Sequence, residues 1–393
     1  MARSESLLPG GVRISDLVTL GALAEGVPAE DIDAAIAGLE GKRRTRSLPP
    51  RITVLYVIAM AVYRDVSLEE VLSCLLEGLR WLGFGPIKPA VKSAITQARA
   101  RLGPAPLRLL FERLARPLAT ELTKGAHYRS WLTVAFDGTI LDLPDTQSNV
   151  KAYGYPGASR GSSAYPQLRS VALCETGTHA AFAAAMGPYS MGEISLAKQV
   201  IPRLSKGMLL LADRNYFGFF LWQQAQSTGA DLLWRVKKNV RLRVLKRLPD
   251  GSFLSAVYED PTHYRRKEGG ISVRVVEYTV KGSDDTYRLV TTILDPEQAP
   301  AEELATVYTQ RWEVETMFDE IKTHVKGPNL TLRSKTADLV EQEFWGMMIA
   351  HRVLRSLMHE AALRQNLDPD KISMVHTIRV VKRTMPSRAS FSP

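Results

Sequence analysis

The apolar positions of this chain fall into three regimes. Through the first 125 residues they recur at helical spacing. Residues 18–39 predict two short helices, the second opening after Pro28 with Ala-Glu-Asp. Residues 52–63 are an apolar run too short to span a bilayer, hence a buried helix. Ser67-Leu-Glu-Glu70 resembles a capping box and starts a helix that runs to Leu79. Residues 93–102 carry Arg99 and Arg101, behind Lys92, and follow a turn at 83–89. Helices around that turn form either a helix-turn-helix or an ordinary helix pair.

From Trp131 the period shortens. Residues 131–143 predict a strand that carries Asp137, turns at Gly138 and continues into a neighbouring strand. Residues 144–168, rich in Pro, Gly, Ser and Tyr, predict a loop. Strands follow at 168–174 and 180–185, then a helix at 193–204. Residues 207–212 are continuously apolar, as in a central strand covered on both faces. That strand delivers Asp213 at its C-terminal end, where open α/β sheets place ligands. A helix at 219–227 follows. Residues 231–294 alternate apolar and polar, predicting antiparallel strands with turns at Asp250-Gly251 and Gly269-Gly270. From Ala301 the spacing is helical again. It includes an uninterrupted stretch at 308–322 and an amphipathic helix at 338–363 with Phe344, Trp345, Met348, Val353 and Leu357 as its core stripe. A short helix at 372–382 follows, and residues 387–393 show no periodic pattern. The fold class is α/β with helical segments at both ends.

Composition keeps the chain globular: 393 residues, 45% hydrophobic and 23% charged, enough for two or three domains. Lys and Arg exceed Asp and Glu by 51 − 41 = 10, which favours an acidic partner, most simply nucleic acid. The excess is concentrated. Arg235, Lys237, Lys238, Arg241, Arg243, Lys246 and Arg247 lie within 13 residues, with Tyr258 and Tyr264 nearby. That density favours a DNA-contacting groove over a solvated face. The run Gly41-Lys-Arg-Arg-Thr-Arg46 is a linker or a phosphate contact. Cys74 and Cys174, 100 residues apart, form no metal or disulfide pattern and suit a reducing cytosol. The N-terminus is not a signal peptide.

The candidate chemistry is carboxylate chemistry. At about 100° per residue, Tyr308, Arg311, Glu315 and Lys322 share a helical stripe roughly 60° wide, beside an apolar stripe of Val307, Val314, Phe318, Ile321 and Val325. Arg and Lys clamp anions, and a carboxylate holds a metal ion. Asp137, within an apolar strand, is costly unless paired, metal-bound or in an Asp-Gly turn. Asp137, Asp213 and Glu315 would converge if the two strands were neighbours and the helix packed over them. Two cations roughly 3.5–4 Å apart would then activate a water or 3′-hydroxyl for in-line attack on a phosphodiester. An oxygen-only donor set selects Mg²⁺ or Mn²⁺ over Zn²⁺. Asp319, about 40° from Glu315 around the helix, and Asp142 are alternative ligands. A carboxylate-pair hydrolase acting on sugars leaves the basic excess unexplained.

The spacing Tyr308-x2-Arg311-x3-Glu315-x6-Lys322 resembles the YREK signature of DDE transposases of the bacterial insertion-element-four family. Asp137-Gly-Thr and Ala212-Asp213-Arg-Asn-Tyr-Phe are similar to the two earlier motifs of that family, in the same order. The resemblance implies a helical N-terminal DNA-binding domain (1–125), an RNase H-like core in two parts (126–234 and 296–336), a β-rich insertion (235–295) and a C-terminal helical region (337–393). It implies cut-and-paste transposition in Mg²⁺: nicking at the element's end, hairpin formation, hairpin opening and strand transfer. It further implies a homodimer synapsing double-stranded DNA in a bacterial cytoplasm, at the nucleoid. Tyr308, Arg311 and Lys322 would grip phosphates, and Arg235, Lys237, Lys238, Arg241 and Arg265 would line the DNA path. Relatives stack a Trp of the insertion on a flipped base. Here Trp234 and Trp312 bracket a region without one, and Tyr264, beside Arg265, is the candidate substitute. A domesticated relative that binds DNA without cutting it is the alternative.

Overall fold

The computed structural model describes residues 26–39, 48–63, 66–81, 90–158, 161–162, 164–279, 286–326 and 331–381. The basic run 41–46, the turn at 83–89 and the final residues 387–393 lie outside them. The chain divides into two compact units. One holds residues 1–116, 141–168 and 319–393; the other holds 117–140 and 169–318.

The first unit is built around two helices. In α1 (Pro50–Val62) every side chain from Ile52 to Val62 is buried, as the unbroken apolar run requires. Its partner is the 29-residue Ala337–Gln365 helix. Gly346 of that helix permits the approach, because a Cβ there would lie 2.9 Å from Val57 Cγ1 and from the Val57 carbonyl oxygen. Phe344, Trp345, Met348 and Val353 are buried, and Leu357 is half-buried. Residues of the N-terminal third therefore share a core with the C-terminal helix. A helix at Gln147–Tyr153, capped by Thr146, occupies the segment expected to be loop.

In α2 (Lys92–Leu102), Arg99 is buried. Its Nε donates to Gln342 Oε1 at 3.2 Å, and its Nη2 donates to Ser334 Oγ at 3.0 Å and to the Leu339 carbonyl at 2.9 Å. Burial pulls its pKa down, opposed chiefly by the Glu343 charge. Arg99 is a core tether, and only Arg101 of the two helix arginines stays exposed.

The second unit is a mixed sheet. Its strands are β1 (Trp131–Asp142), β2 (Gln167–Glu175), β3 (Ala181–Pro188), β4 (Met208–Ala212), β5 (Asp231–Val236), β6 (Phe253–Val257), β7 (Ile271–Thr279) and β8 (Thr286–Thr291). They run in the order β3-β2-β1-β4-β5-β8-β7-β6. β4 is parallel to both β1 and β5, while β8 and β7 add antiparallel pairs. The first five strands, taken in chain order as 3-2-1-4-5, give the RNase H-like arrangement. The β-rich segment extends this same sheet through the β5–β8 pairing, with no second sheet of its own. Helices α3 (Glu193–Val200) and α4 (Phe219–Ser227) bury Leu196, Ala197, Val200, Leu221, Trp222 and Ala225 in the core that β1, β4 and β5 also line. An edge-to-face cluster of Phe136, Tyr216, Trp222 and Trp234 stiffens the end of β1, each pair worth about 0.5–1.5 kcal/mol beyond burial.

Candidate active site

β1 runs straight through Asp137 and Gly138 for 12 residues, so the expected turn at Gly138 is absent. Gly138 is required for a different reason. A Cβ there would lie 2.7 Å from the Glu193 Cδ, since the side chain that opens α3 lies across the strand.

Parallel pairing brings the first two motifs together. Val134 faces Leu210 and Ala135 faces Leu211. The ladder ends at that pair; the same offset carried two residues further would oppose Asp213 to Asp137, and side-chain alternation would put both carboxylates on one face. Tyr308, buried to 6% exposure, donates its hydroxyl to the Ala212 carbonyl at 3.2 Å. Its hydroxyl is thus spent on the strand end next to Asp213, not offered to a phosphate. Burial, more than the neighbouring charges, pushes its pKa up.

The third motif is helical, but not as one α-helix. Tyr308–Trp312 is a 3₁₀ turn, α5 (Glu313–Glu320) is α-helical, and Ile321–Lys326 is a π-turn. Such a change of winding redirects side chains that a uniform 100° step would place, and π-turns concentrate at functional sites. Arg311 is the hub. Its Nη2 donates to Glu315 Oε1 at 2.9 Å, and its Nη1 lies 3.5 Å from Asp137 Oδ2. One guanidinium therefore spans the carboxylates of the first and third motifs. Its charge is shared between them and its planar face covers the Trp312 ring, 4.6 Å from the centroid. Burial pulls the Arg311 pKa down, but the hydrogen bond and charge of Glu315 more than reverse that. Burial lifts the Asp137 pKa; the Gly138 N–H and Arg311 oppose this, while Glu315 and Glu193 add to it.

Asp319 is exposed, with its Oδ1 accepting from the Thr323 hydroxyl at 3.2 Å. Asp142 accepts from Gln167 Nε2 at 2.7 Å. Lys322 is half-buried on the π-turn. Asp319, Asp142 and Lys322 all belong to the first unit, whereas Asp137, Asp213, Tyr308, Arg311 and Glu315 belong to the second.

Of the predicted DNA-contacting side chains, Arg235, Lys238, Tyr264 and Arg265 line two basic hollows of the second unit. Arg214, Arg235, Lys238, Asn239, Tyr287 and Arg288 surround one of about 300 Å³, with the Arg235 guanidinium 4.4 Å from the Tyr287 centroid. Arg243, Leu245, Tyr258, Tyr264, Arg265 and Lys267 surround another of about 310 Å³. Tyr264 meets Tyr258 edge-to-face at 5.5 Å, on a short helix capped by Asp260. Lys237 and Arg241 are exposed.

The sequence reading missed Glu193. It recognised residue 193 only as a helix start, and no spacing ties it to the other carboxylates. Tyr216 lies inside the Ala212-Asp213-Arg-Asn-Tyr-Phe stretch of the second motif, where the sequence assigns it no role. Its hydroxyl lies 3.4 Å from Asp137 Oδ1 and 3.3 Å from Glu193 Oε2.

The donor set fits a hard divalent cation. Every candidate ligand is a carboxylate oxygen, and among the described residues Arg311 is the one guanidinium paired with them, at Asp137 and Glu315.

The family described as "Insertion element 4 transposase N-terminal" matches residues 17–112, and "Transposase DDE domain" matches residues 132–352. The chain is 29% identical, over 89% of its length and 79% of the relative's, to "Transposase InsG for insertion sequence element IS4" of Escherichia coli. It is 28% identical to "Putative transposase InsZ" of the same organism, over 54% of this chain and 69% of that one. Among solved structures, a piggyBac transposase synaptic complex with hairpin DNA covers 93% of this chain and 79% of its own, at a TM-score of 0.48 and 13% identity. No described helix is long and apolar enough to cross a membrane. The chain belongs to the DDE transposases of the insertion-element-four family, DNA-binding nucleases and strand transferases that use divalent metal.

Proposed function

We propose that this transposase cuts and joins the ends of its own insertion element with Asp137, Asp213 and Glu315 as the catalytic carboxylates. The observation that carries this assignment is Arg311 spanning Asp137 and Glu315; the β1–β4 register, continued two residues past its last pair, would add Asp213 beside Asp137. That geometry supports Glu315 over Asp319 as the helical ligand. Two Mg²⁺ or Mn²⁺ ions held by these carboxylates would supply Lewis-acid activation of the attacking oxygen and neutralise charge at the scissile phosphate.

The protein's own groups do the positioning. The strand backbone fixes the two aspartates. Tyr308 ties down the carbonyl beside Asp213, and Arg311 holds Asp137 and Glu315 at one guanidinium until the phosphate arrives. Lys322 contacts phosphate, and Arg235, Lys237, Lys238, Arg241, Tyr264 and Arg265 follow the DNA. Water attacks the phosphodiester at the element's end and frees a 3′-hydroxyl. That hydroxyl attacks the opposite strand to close a hairpin, which water opens before transfer into target DNA. A homodimer holds the two ends together.

Linear DNA bearing the element's terminal repeats, incubated with the protein and Mg²⁺, tests this. Hairpin-ended products that disappear with Asp137→Ala are expected. Sequence-specific binding with no cleavage in Mg²⁺ or Mn²⁺ would sink the cutting role and leave a DNA-binding relative.

A further inference from the structure

The carboxylate inventory of the site does not close with three. Glu193, the first residue of α3, reaches across β1 so closely that a Cβ on residue 138 would lie 2.7 Å from its Cδ. Its Oε2 and the Asp137 Oδ1 flank the same Tyr216 hydroxyl, at 3.3 and 3.4 Å. That hydroxyl has one proton and is buried to 2% exposure. It can donate to one carboxylate at a time; Asp137 Oδ1 also accepts the Gly138 N–H at 2.8 Å, so Glu193 loses this donor whenever the hydroxyl turns to Asp137. Arg311 serves Asp137 and Glu315. Among the described residues no cation pairs with Glu193. Two carboxylates facing one shared donor, with no charge of their own to balance the second, repel each other. A strand, a helix start and a buried tyrosine all hold them there. A cation between them would relieve the repulsion, and oxygen donors suit a hard divalent ion.

We infer that Glu193 is a fourth carboxylate of the divalent-metal site, binding on the Asp137 side. This inference rests on the metal-holding role proposed for Asp137.

Mn²⁺ titration of the full chain, followed by electron paramagnetic resonance without DNA, tests it independently of cleavage. Glu193→Gln keeps the shape and the Tyr216 contact but removes the charge. It is expected to weaken Mn²⁺ binding about 10-fold, in the range seen when groups supporting a metal site are lost. Its metal-free melting temperature should stay unchanged or rise. Glu193→Asp should recover part of the affinity, and Tyr216→Phe should leave it within about two-fold. Asp137→Ala serves as the reference. If it lowers Mn²⁺ affinity while Glu193→Gln does not, the inference falls and the proposed role of Asp137 stands. If Asp137→Ala has no effect either, the metal assignment itself falls. A Tyr216→Phe loss equal to that of Glu193→Gln would also overturn the inference, because the effect would then pass through the hydroxyl.

Discussion

Two buried arginines in the same unit show what separates scaffold from site. Arg274, on β7, is fully buried with its donors used. Its Nε donates to Ser252 Oγ at 2.8 Å, its Nη1 to the Ala299 and Asp295 carbonyls at 2.7 and 3.3 Å, and its Nη2 to Asp250. Asp250 also accepts from the Ala301 N–H at 2.9 Å. Burial alone would raise the Asp250 pKa, but hydrogen bonds from Ser252 and Ala301 and the Arg274 charge hold it below the usual carboxylate range. Arg311 is nearly as buried, yet it divides one charge between two carboxylates, and among the described residues neither Glu193 nor Asp213 is paired with a cation. There the Asp137 pKa goes up. The first cluster is complete in itself. The second is negatively charged and incomplete, as a site awaiting a cation and a phosphate must be.

This contrast can be broken or sharpened experimentally. The largest expected effect is on chemistry. Asp137→Asn or Glu315→Gln should lower end cleavage by about 10³-fold, since metal-borne charge stabilisation is worth several kcal/mol and each 1.36 kcal/mol is tenfold. Metal-free melting should not fall, because a repelling charge is removed. A large drop in melting temperature would mean that the cluster is structural after all.

Next comes the scaffold. Arg274→Met leaves Asp250 partly buried without its cation and should cost about 3–5 kcal/mol in urea unfolding. Metal affinity of the folded fraction should stay intact. A cost under about 1 kcal/mol would erase the distinction between the two arginines.

Gly138→Ala is expected to cost about 1–3 kcal/mol through the clash with Glu193. In Gly138→Ala/Glu193→Ala most of that cost should vanish. Simple additivity in the double-mutant cycle would show that Glu193 does not lie over the strand.

The smallest effect is in pH dependence, and the two carboxylates differ in sign. The Asp250 pKa is depressed. Its contribution is fully present above the unfolded value, near 3.9, and is lost as pH falls through the lower folded value. The Asp137 pKa is raised. Its contribution is present below the unfolded value and is lost as pH rises through the folded one. Asp250→Asn should therefore flatten the acid limb of stability, and Asp137→Asn should steepen it slightly. Thermal melts between about pH 3 and 6, without metal, compare them; parallel shifts would contradict the assigned signs.

Much of this architecture was legible in the chain. The continuous apolar run before Asp213 reads as a central strand because a strand covered on both faces has no wet side to alternate with. The run at residues 52–63 reads as a buried helix for a similar reason, and the YREK spacing picked out Arg311 and Glu315 without coordinates. The misreadings have local causes. Asp137-Gly138 has the composition of a hairpin turn, and only the Glu193 side chain, 55 residues on, explains why glycine sits in an unbroken strand. The role of Arg99 stays open in sequence, between a DNA-reading helix and an ordinary helix pair, because its partners Ser334, Leu339 and Gln342 lie more than 230 residues away.

The sequence by itself determined the elements and the residue types available for chemistry, because periodicity and motif spacing are local properties. Only the tertiary structure decided which carboxylates meet. The β1–β4 register puts the first two motifs on neighbouring strands, Arg311 ties Glu315 to Asp137, and α3 delivers Glu193, each through contacts between residues far apart in the chain.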